Sequence, residues 1–155
     1  MTQPIQTQAT RHCLSLEVEV GRPLDLGANH AGGRRCIPLL GGRFWGDIEG
    51  QIVPGGTDWQ TVLPNGNLEL SAHYALETST GDLIEVSSIG VRNGSPEVLA
   101  RLSRGEAVPR SEYYFRTHMR FRTSAAALQH WNLRLYSCVG ERHHSVVRLA
   151  VFELL

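Results

Sequence analysis

The chain has 155 residues, 15 basic and 15 acidic side chains and a formal net charge of zero, which is one domain's worth of sequence with no general electrostatic grip on nucleic acid or on an anionic membrane. Every basic residue is arginine, so a lysine Schiff base, a lysine-anchored pyridoxal cofactor and a Walker-type phosphate loop are excluded. Cys13, Cys36 and Cys138 are an odd number without close pairing, which fits free thiols in a reducing cytoplasm better than a disulfide framework or a zinc knuckle.

Residues 1–10 are polar and expected to be frayed, with no charged-then-apolar leader pattern; residues 11–155 are read as a single domain. Cys13 to Val20 alternates, with Leu14, Leu16, Val18 and Val20 on one face and Ser15, Glu17 and Glu19 on the other, the mark of a half-buried strand. Residues 21–33 read as a loop and 34–40 as a short strand ending at Gly41-Gly42. Phe44 to Val53 alternates again and runs into Pro54-Gly55-Gly56, read as a bend between two strands, after which Thr57 to Leu63 is a short strand.

Pro64-Asn65-Gly66-Asn67 is a hairpin turn, because Asn-Gly tolerates positive φ. Leu68 to Thr78 returns with Leu68, Leu70, Ala72, Tyr74 and Leu76 on one face, and Leu83 to Arg92 follows the Thr80-Gly81-Asp82 turn. Ser95 as N-cap, Pro96 at the first helical position and Glu97 against the dipole start a helix that Gly105 stops. Tyr113 to Phe121 is a strand, Ser124 to His130 a short alanine-rich helix, and 131–139 and 145–154 the last two strands. About eight to ten strands in sequential hairpins, with two short helices, predict an all-β fold: a closed antiparallel up-and-down β-barrel, with a sandwich as the other arrangement. A barrel of this strand number can hold one ligand in its lumen.

Several motifs together resemble the bacterial and fungal family DUF3237, also called UPF0311. They are Gly-Arg-Arg at 33–35, Gly-Gly-Arg-Phe at 41–44, Pro-Gly-Gly-x-Asp-Trp-Gln at 54–60, Ala72-x-Tyr74-x-Leu76, Gly90-x-Arg92, Tyr114-Phe115-Arg116-Thr117 and Gly140-x-Arg142. The resemblance implies an antiparallel β-barrel with an interior pocket. The chain departs from the family pattern at Ser88, Met119, Arg122 and His130-Trp131-Asn132, so the ligand does not carry over.

Asp58-Trp59-Gln60 is the first candidate site. A carboxylate beside an indole is desolvated, which raises its pKa toward that of a useful general base; the alternative is a turn residue capping backbone amides. Arg92 and Arg116 lie within strands, where a long cation needs a partner or a wet cavity; together they would grip a carboxylate, phenolate or enolate, or close an internal salt bridge. Tyr114, Arg116 and His118 share a face by alternation, read as lumenal, with Tyr114 a second candidate for moving a proton. Tyr74 and Asn132 supply neutral hydrogen bonds, and Trp59 and Trp131 are flat walls for a ring or core filling. The histidines show no metal-ligand spacing, and no nucleophile elbow or dinucleotide loop is present.

Three readings follow. One is a cofactor-independent acid/base enzyme of isomerase, cyclase or hydro-lyase type acting on a small aromatic or carbonyl compound. The second is a non-catalytic binder of an anionic aromatic ligand, and the third a structural subunit whose polar interior only locks the fold. The partner expected is a small molecule, with a homodimer open for a small β-protein; no cofactor, metal, nucleic acid or membrane is expected.

Overall fold

Alternating apolar residues force one face of each strand inward, and tight turns keep successive strands adjacent. In a computed structural model describing residues 1–155, nine strands follow: β1 (Thr10–Val20), β2 (Leu24–Asn29), β3 (Gly32–Gly46), β4 (Gly50–Val62), β5 (Leu68–Thr78), β6 (Leu83–Gly94), β7 (Tyr113–Arg122), β8 (Tyr136–Arg142) and β9 (Val146–Leu154). Helix α1 (Pro96–Ser103) and two 3₁₀ segments, Arg110–Glu112 and Ala126–Leu133, fill the longer connections. The strands form one antiparallel sheet in the order β1-β9-β8-β7-β6-β5-β4-β3-β2, and β1 also pairs with β3. That last pairing closes an eight-stranded barrel, with β2 hydrogen-bonded to β3 outside the ring. The closed barrel, not the sandwich, is the fold, and closure leaves no free edge within the ring.

β3 closes the ring because it is long enough for two partners on one side. Its first residues pair with β2, from Leu24↔Cys36 to Asn29↔Gly32, and its last pair with β1, from Val20↔Leu39 to Leu14↔Gly46. The loop expected over 21–33 is in part β2, which is exposed along its whole length and so shows no buried face to read. Pro54-Gly55-Gly56 is not a bend between strands but a bulge inside β4: Val53 to Thr57 spans four steps opposite the two steps from Ala75 to His73. The helix expected at 124–130 is the 3₁₀ segment, which takes in Trp131 and delays β8 to Tyr136. At the N-terminus, the Leu155 amide donates to the Ala9 carbonyl at 3.0 Å, and Gln8 donates to the Leu155 carbonyl at 2.8 Å.

The interior divides into two levels. One end is solid. Phe44, Leu76, Ile84, Phe121, Trp131, Tyr136 and Val151 are all buried there; Trp131 stacks on Tyr136 with centroids 5.3 Å apart, and Phe121 meets both edge-on. The other end is ringed by residues of all eight barrel strands, and there Ala72 and Ser88 are too short to fill the lumen. Ser95 accepts from the Val98 amide to cap α1 beside this end, and Leu99 and Leu102 are buried beneath it.

Gly42 sits at the closing seam, opposite Val18, with φ of +132°. A Cβ there would collide with the Glu17 carbonyl oxygen, so backbone strain and a backbone clash combine. Gly42→Ala is expected to cost about 2–5 kcal/mol. At about 2–4 °C per kcal/mol for a chain of this size, thermal denaturation should show a midpoint lower by about 4–20 °C.

Candidate functional site

The lumen at the unfilled end is a cavity of about 60 Å³ lined by Val18, Val20, Ile37, Leu39, Leu70, Phe115, Val147 and Leu149 as its apolar wall. The polar wall is Asp58, Gln60, Tyr74, Ser88, Arg92, Thr117 and Arg142. A single water needs about 10–15 Å³ on such a scale, so the space suits a ligand of a few heavy atoms, or the head of a longer one.

Strand pairing places these groups. Asp58 lies between Ile37 of β3 and Ala72 of β5, and Ala72 faces Ser88 of β6; the two small residues keep space open beside the carboxylate. One residue pair further toward the mouth, Gln60 lies between Arg35 and Leu70. Arg92 lies between Leu68 and Phe115. Tyr113, at the rim, accepts a hydrogen bond from the Arg142 amide at 2.9 Å, fixing the end of β8.

Asp58 is held from one side. Arg35 Nε donates to Gln60 Oε1 at 2.7 Å, and Gln60 Nε2 donates to Asp58 Oδ2 at 2.8 Å. Oδ1 has no partner in the protein. Burial raises the Asp58 pKa above the ordinary carboxylate value, opposed by the Gln60 hydrogen bond, the nearby Ser71 backbone and the charges of Arg92 and Arg35. Arg92 is 6 % exposed. Its burial, with the like charges of Arg142 and Arg35, lowers its pKa to about 10. Burial and the charge of Arg35 lower that of Arg142 as well.

Seven buried side-chain polar atoms lack a hydrogen-bond partner: Asp58 Oδ1, Tyr74 OH, Arg92 Nε, Thr117 Oγ1, Arg120 Nε, Trp131 Nε1 and Arg142 Nη1. Five of them belong to residues that line this one cavity. Buried polar groups are nearly always satisfied, so five unpaired atoms on the residues of one cavity mark it as the candidate site.

Of the residues singled out in the sequence, Asp58, Gln60, Tyr74 and Arg92 come together on this wall. Tyr114, Arg116 and His118 do not. They face outward on β7, where Tyr114 is 53 % exposed and the Arg116 guanidinium lies over its ring at 5.0 Å; the lumenal set is Tyr113, Phe115, Thr117, Met119 and Phe121. Trp59 is on the outer surface with the Arg34 guanidinium 5.9 Å from its ring centroid, not beside the Asp58 carboxylate; desolvation of Asp58 comes from the lumen wall instead. Trp131 is in the solid end.

Asn132 pins a turn. Its Oδ1 accepts from the Thr123 amide at 2.8 Å, and its Nδ2 donates to the Thr123 carbonyl at 2.9 Å and to Gln129 at 3.2 Å. Asn132→Ala should therefore cost about 1–3 kcal/mol in thermal denaturation and leave any ligand response of the cavity unchanged. No group of three or more His, Cys, Asp or Glu side chains is arranged to hold a metal ion.

The site includes residues that site reasoning from the sequence passed over: Arg35, Phe115, Thr117, Arg142 and Ser88. Arg35 and Arg142 stood in the Gly-Arg-Arg and Gly-x-Arg motifs of the resemblance, and those motifs were the available signal.

A closed eight-stranded barrel with a polar-walled lumen is the class of protein that this fold and cavity define. The chain belongs to the family described as "Protein of unknown function (DUF3237)", whose model matches residues 8–154. A UPF0311 protein of Rhodopseudomonas palustris is 39 % identical over 152 residues, covering 96 % of this chain and 98 % of that one. The crystal structure of a conserved protein of unknown function from the same organism superposes with a TM-score of 0.92 at 36 % identity, covering 98 % of this chain and all of that one. A protein of Penicillium herquei described as an enzyme shares the fold, with a TM-score of 0.75 at 18 % identity over the whole of both chains.

Proposed function

We propose that the lumen is a binding and proton-transfer site for a small organic molecule bearing a carbonyl-derived oxyanion. The observation that carries this is the convergence of Asp58 Oδ1, Tyr74 OH, Arg92 Nε, Thr117 Oγ1 and Arg142 Nη1, each without a partner in the protein, on one cavity. Asp58 takes or returns the proton through Oδ1, while Gln60 holds Oδ2 and sets the carboxylate plane. Its raised pKa strengthens it as a base. Arg92 and Arg142 stabilise negative charge as it develops on the ligand oxygen, and they do so in a water-poor lumen where such interactions are strong. Tyr74 and Thr117 orient the neutral parts of the ligand. Isomerisation, cyclisation and addition or loss of water all pass through such a step.

The test is a thermal-shift screen against small aromatic acids, phenols and ketones, followed by mass spectrometry of each stabilising compound after incubation in D₂O. A raised midpoint with product, or with deuterium in the ligand, is the expected result. A raised midpoint with an unaltered ligand would reduce the site to a binding pocket. No shift with any of the three classes would remove the cavity as the functional site.

A further inference from the structure

We infer that the substrate is a short oxo-carboxylate, a ketone with an ionised carboxyl group one or two carbons away. This rests on the proton-transfer reading above and adds the identity of the anionic group and the division of labour between the two arginines.

The argument is an inventory of charge. The inner wall near the mouth carries three guanidiniums, Arg35, Arg92 and Arg142, and one carboxylate, Asp58. Arg35 is committed through Gln60 to Asp58. The other inward-facing acid, Glu153, is at the solid end and bridges Arg11 and Arg134 at 3.0 and 3.4 Å. Glu141, next to Arg142 in sequence, turns outward to Arg110 and His143. Asp25 is occupied by the Gly27 amide at 2.8 Å. Neither Arg92 nor Arg142 forms a salt bridge or a side-chain hydrogen bond. Asp58 also acts on Arg92 and Arg142 through charge, but one carboxylate against three guanidiniums leaves an excess of two positive charges on this wall, an arrangement that costs free energy unless a ligand supplies the opposite charge.

A plain carboxylate answers one of the two guanidiniums. The second is then reserved for an oxygen that is neutral on arrival and charged during reaction. A ketone oxygen beside the carboxylate is such a group. In the step, the C–H bond adjacent to the ketone breaks and its proton passes to Asp58 Oδ1. The C–H electron pair becomes the new C=C bond, and the carbonyl π pair moves onto oxygen as the enolate. Asp58 loses one negative charge as the ligand gains one, so the net charge inside the barrel is constant throughout. Protonation of the enolate by Asp58, at carbon or at oxygen, restores the carboxylate.

The apolar wall of Val18, Leu39, Leu70, Phe115 and Leu149 fits a short unfunctionalised tail. Phosphate would neutralise both guanidiniums at once but has no C–H for Asp58 to use.

The experiment compares 2-oxobutanoate with 2-butanone, in which a methyl group replaces the carboxylate, and with butanoate, which lacks the ketone. Proton NMR in D₂O reads loss of the CH₂ signal next to the ketone, and thermal denaturation reads binding of all three. The expected result is exchange of 2-oxobutanoate accelerated about 100-fold or more over Asp58→Asn, with 2-butanone at least about tenfold slower than the oxo-acid. Arg92→Gln should bring the oxo-acid down to the rate of the ketone. Equal exchange of both ketones would overturn the carboxylate assignment while leaving proton transfer in place. A thermal shift with both acids but no exchange in either ketone would overturn the inference and the catalytic half of the proposed function together. No shift and no exchange with any of the three would overturn the inference and the site.

Discussion

Asp58→Asn should abolish proton transfer in the lumen while leaving the thermal shift by small carboxylates intact. The amide keeps the shape of the carboxylate and can turn its own oxygen toward Gln60 Nε2, so that the Arg35–Gln60 hydrogen bond is kept. It has no basic oxygen to accept a proton from carbon. General acid–base groups contribute about 10²–10⁴-fold, so exchange into an enolisable ligand should fall by at least about 100-fold. The same variant carries a pH signature. Because burial raises the folded-state pKa of Asp58, the folded state binds the proton more tightly than the unfolded chain does. The stability that this group contributes is fully present below the unfolded carboxylate value and is lost as pH rises through the folded value. In urea titrations from pH 3 upward, the wild-type protein should lose stability relative to Asp58→Asn across that window and then run parallel to it. A variant that falls steadily behind the wild type as pH rises would mean that the carboxylate is stabilised by an ion pair in the fold and has a structural role.

Arg92→Met should melt higher than the wild type in the absence of ligand, and should lose its thermal response to small carboxylates. Methionine retains much of the apolar stem of arginine and removes a guanidinium that is nine-tenths buried and forms no salt bridge, its Nε without a hydrogen-bond partner. Replacing buried charge by apolar side chains is often stabilising by about 1–4 kcal/mol, or about 2–16 °C in a chain of this size. Relief of the repulsion with Arg142 and Arg35 acts in the same direction. Gain of stability with loss of binding is the pattern of a residue retained for function at the expense of the fold. A large loss of stability would instead make Arg92 part of what holds the barrel together.

The barrel was legible because its strands are half-buried and their turns are chemically explicit. Leu14 to Val20 and Leu68 to Leu76 alternate without interruption, Asn65-Gly66 can only be a turn, and Ser95-Pro96-Glu97 starts a helix in three residues. β2 was not legible because, lying outside the ring, it has no buried face. The Pro54-Gly55-Gly56 bulge was not, because glycine and proline punctuate bends and bulges alike and only the β5 register separates them.

The site was half legible. Asp58, Gln60, Tyr74 and Arg92 stood out by residue type, but type does not fix the face of a strand. On β7 the whole strand would have settled it. Tyr113, Phe115, Thr117, Met119 and Phe121 are the apolar parity, and Tyr114, Arg116, His118, Arg120 and Arg122 the charged one, so the chemically attractive trio belongs outside. Arg35 and Arg142 could not be assigned from alternation because their side chains are charged residues on inward-facing positions near strand ends, where the pattern gives way to the mouth. Trp131 and Asn132 were drawn in by their chemistry, and the 3₁₀ segment that carries them closes the opposite end.

The most direct test of the lumen as the functional site is a titration of the ¹⁵N-labelled protein with butanoate, following the arginine Nε–H signals assigned by single Arg→Gln variants. The signal of Arg92 should move and saturate, with those of the outward-facing Arg116 and Arg43 unchanged. Movement of Arg116 or Arg43 without Arg92 would place anion binding on the outer surface and contradict the lumenal site.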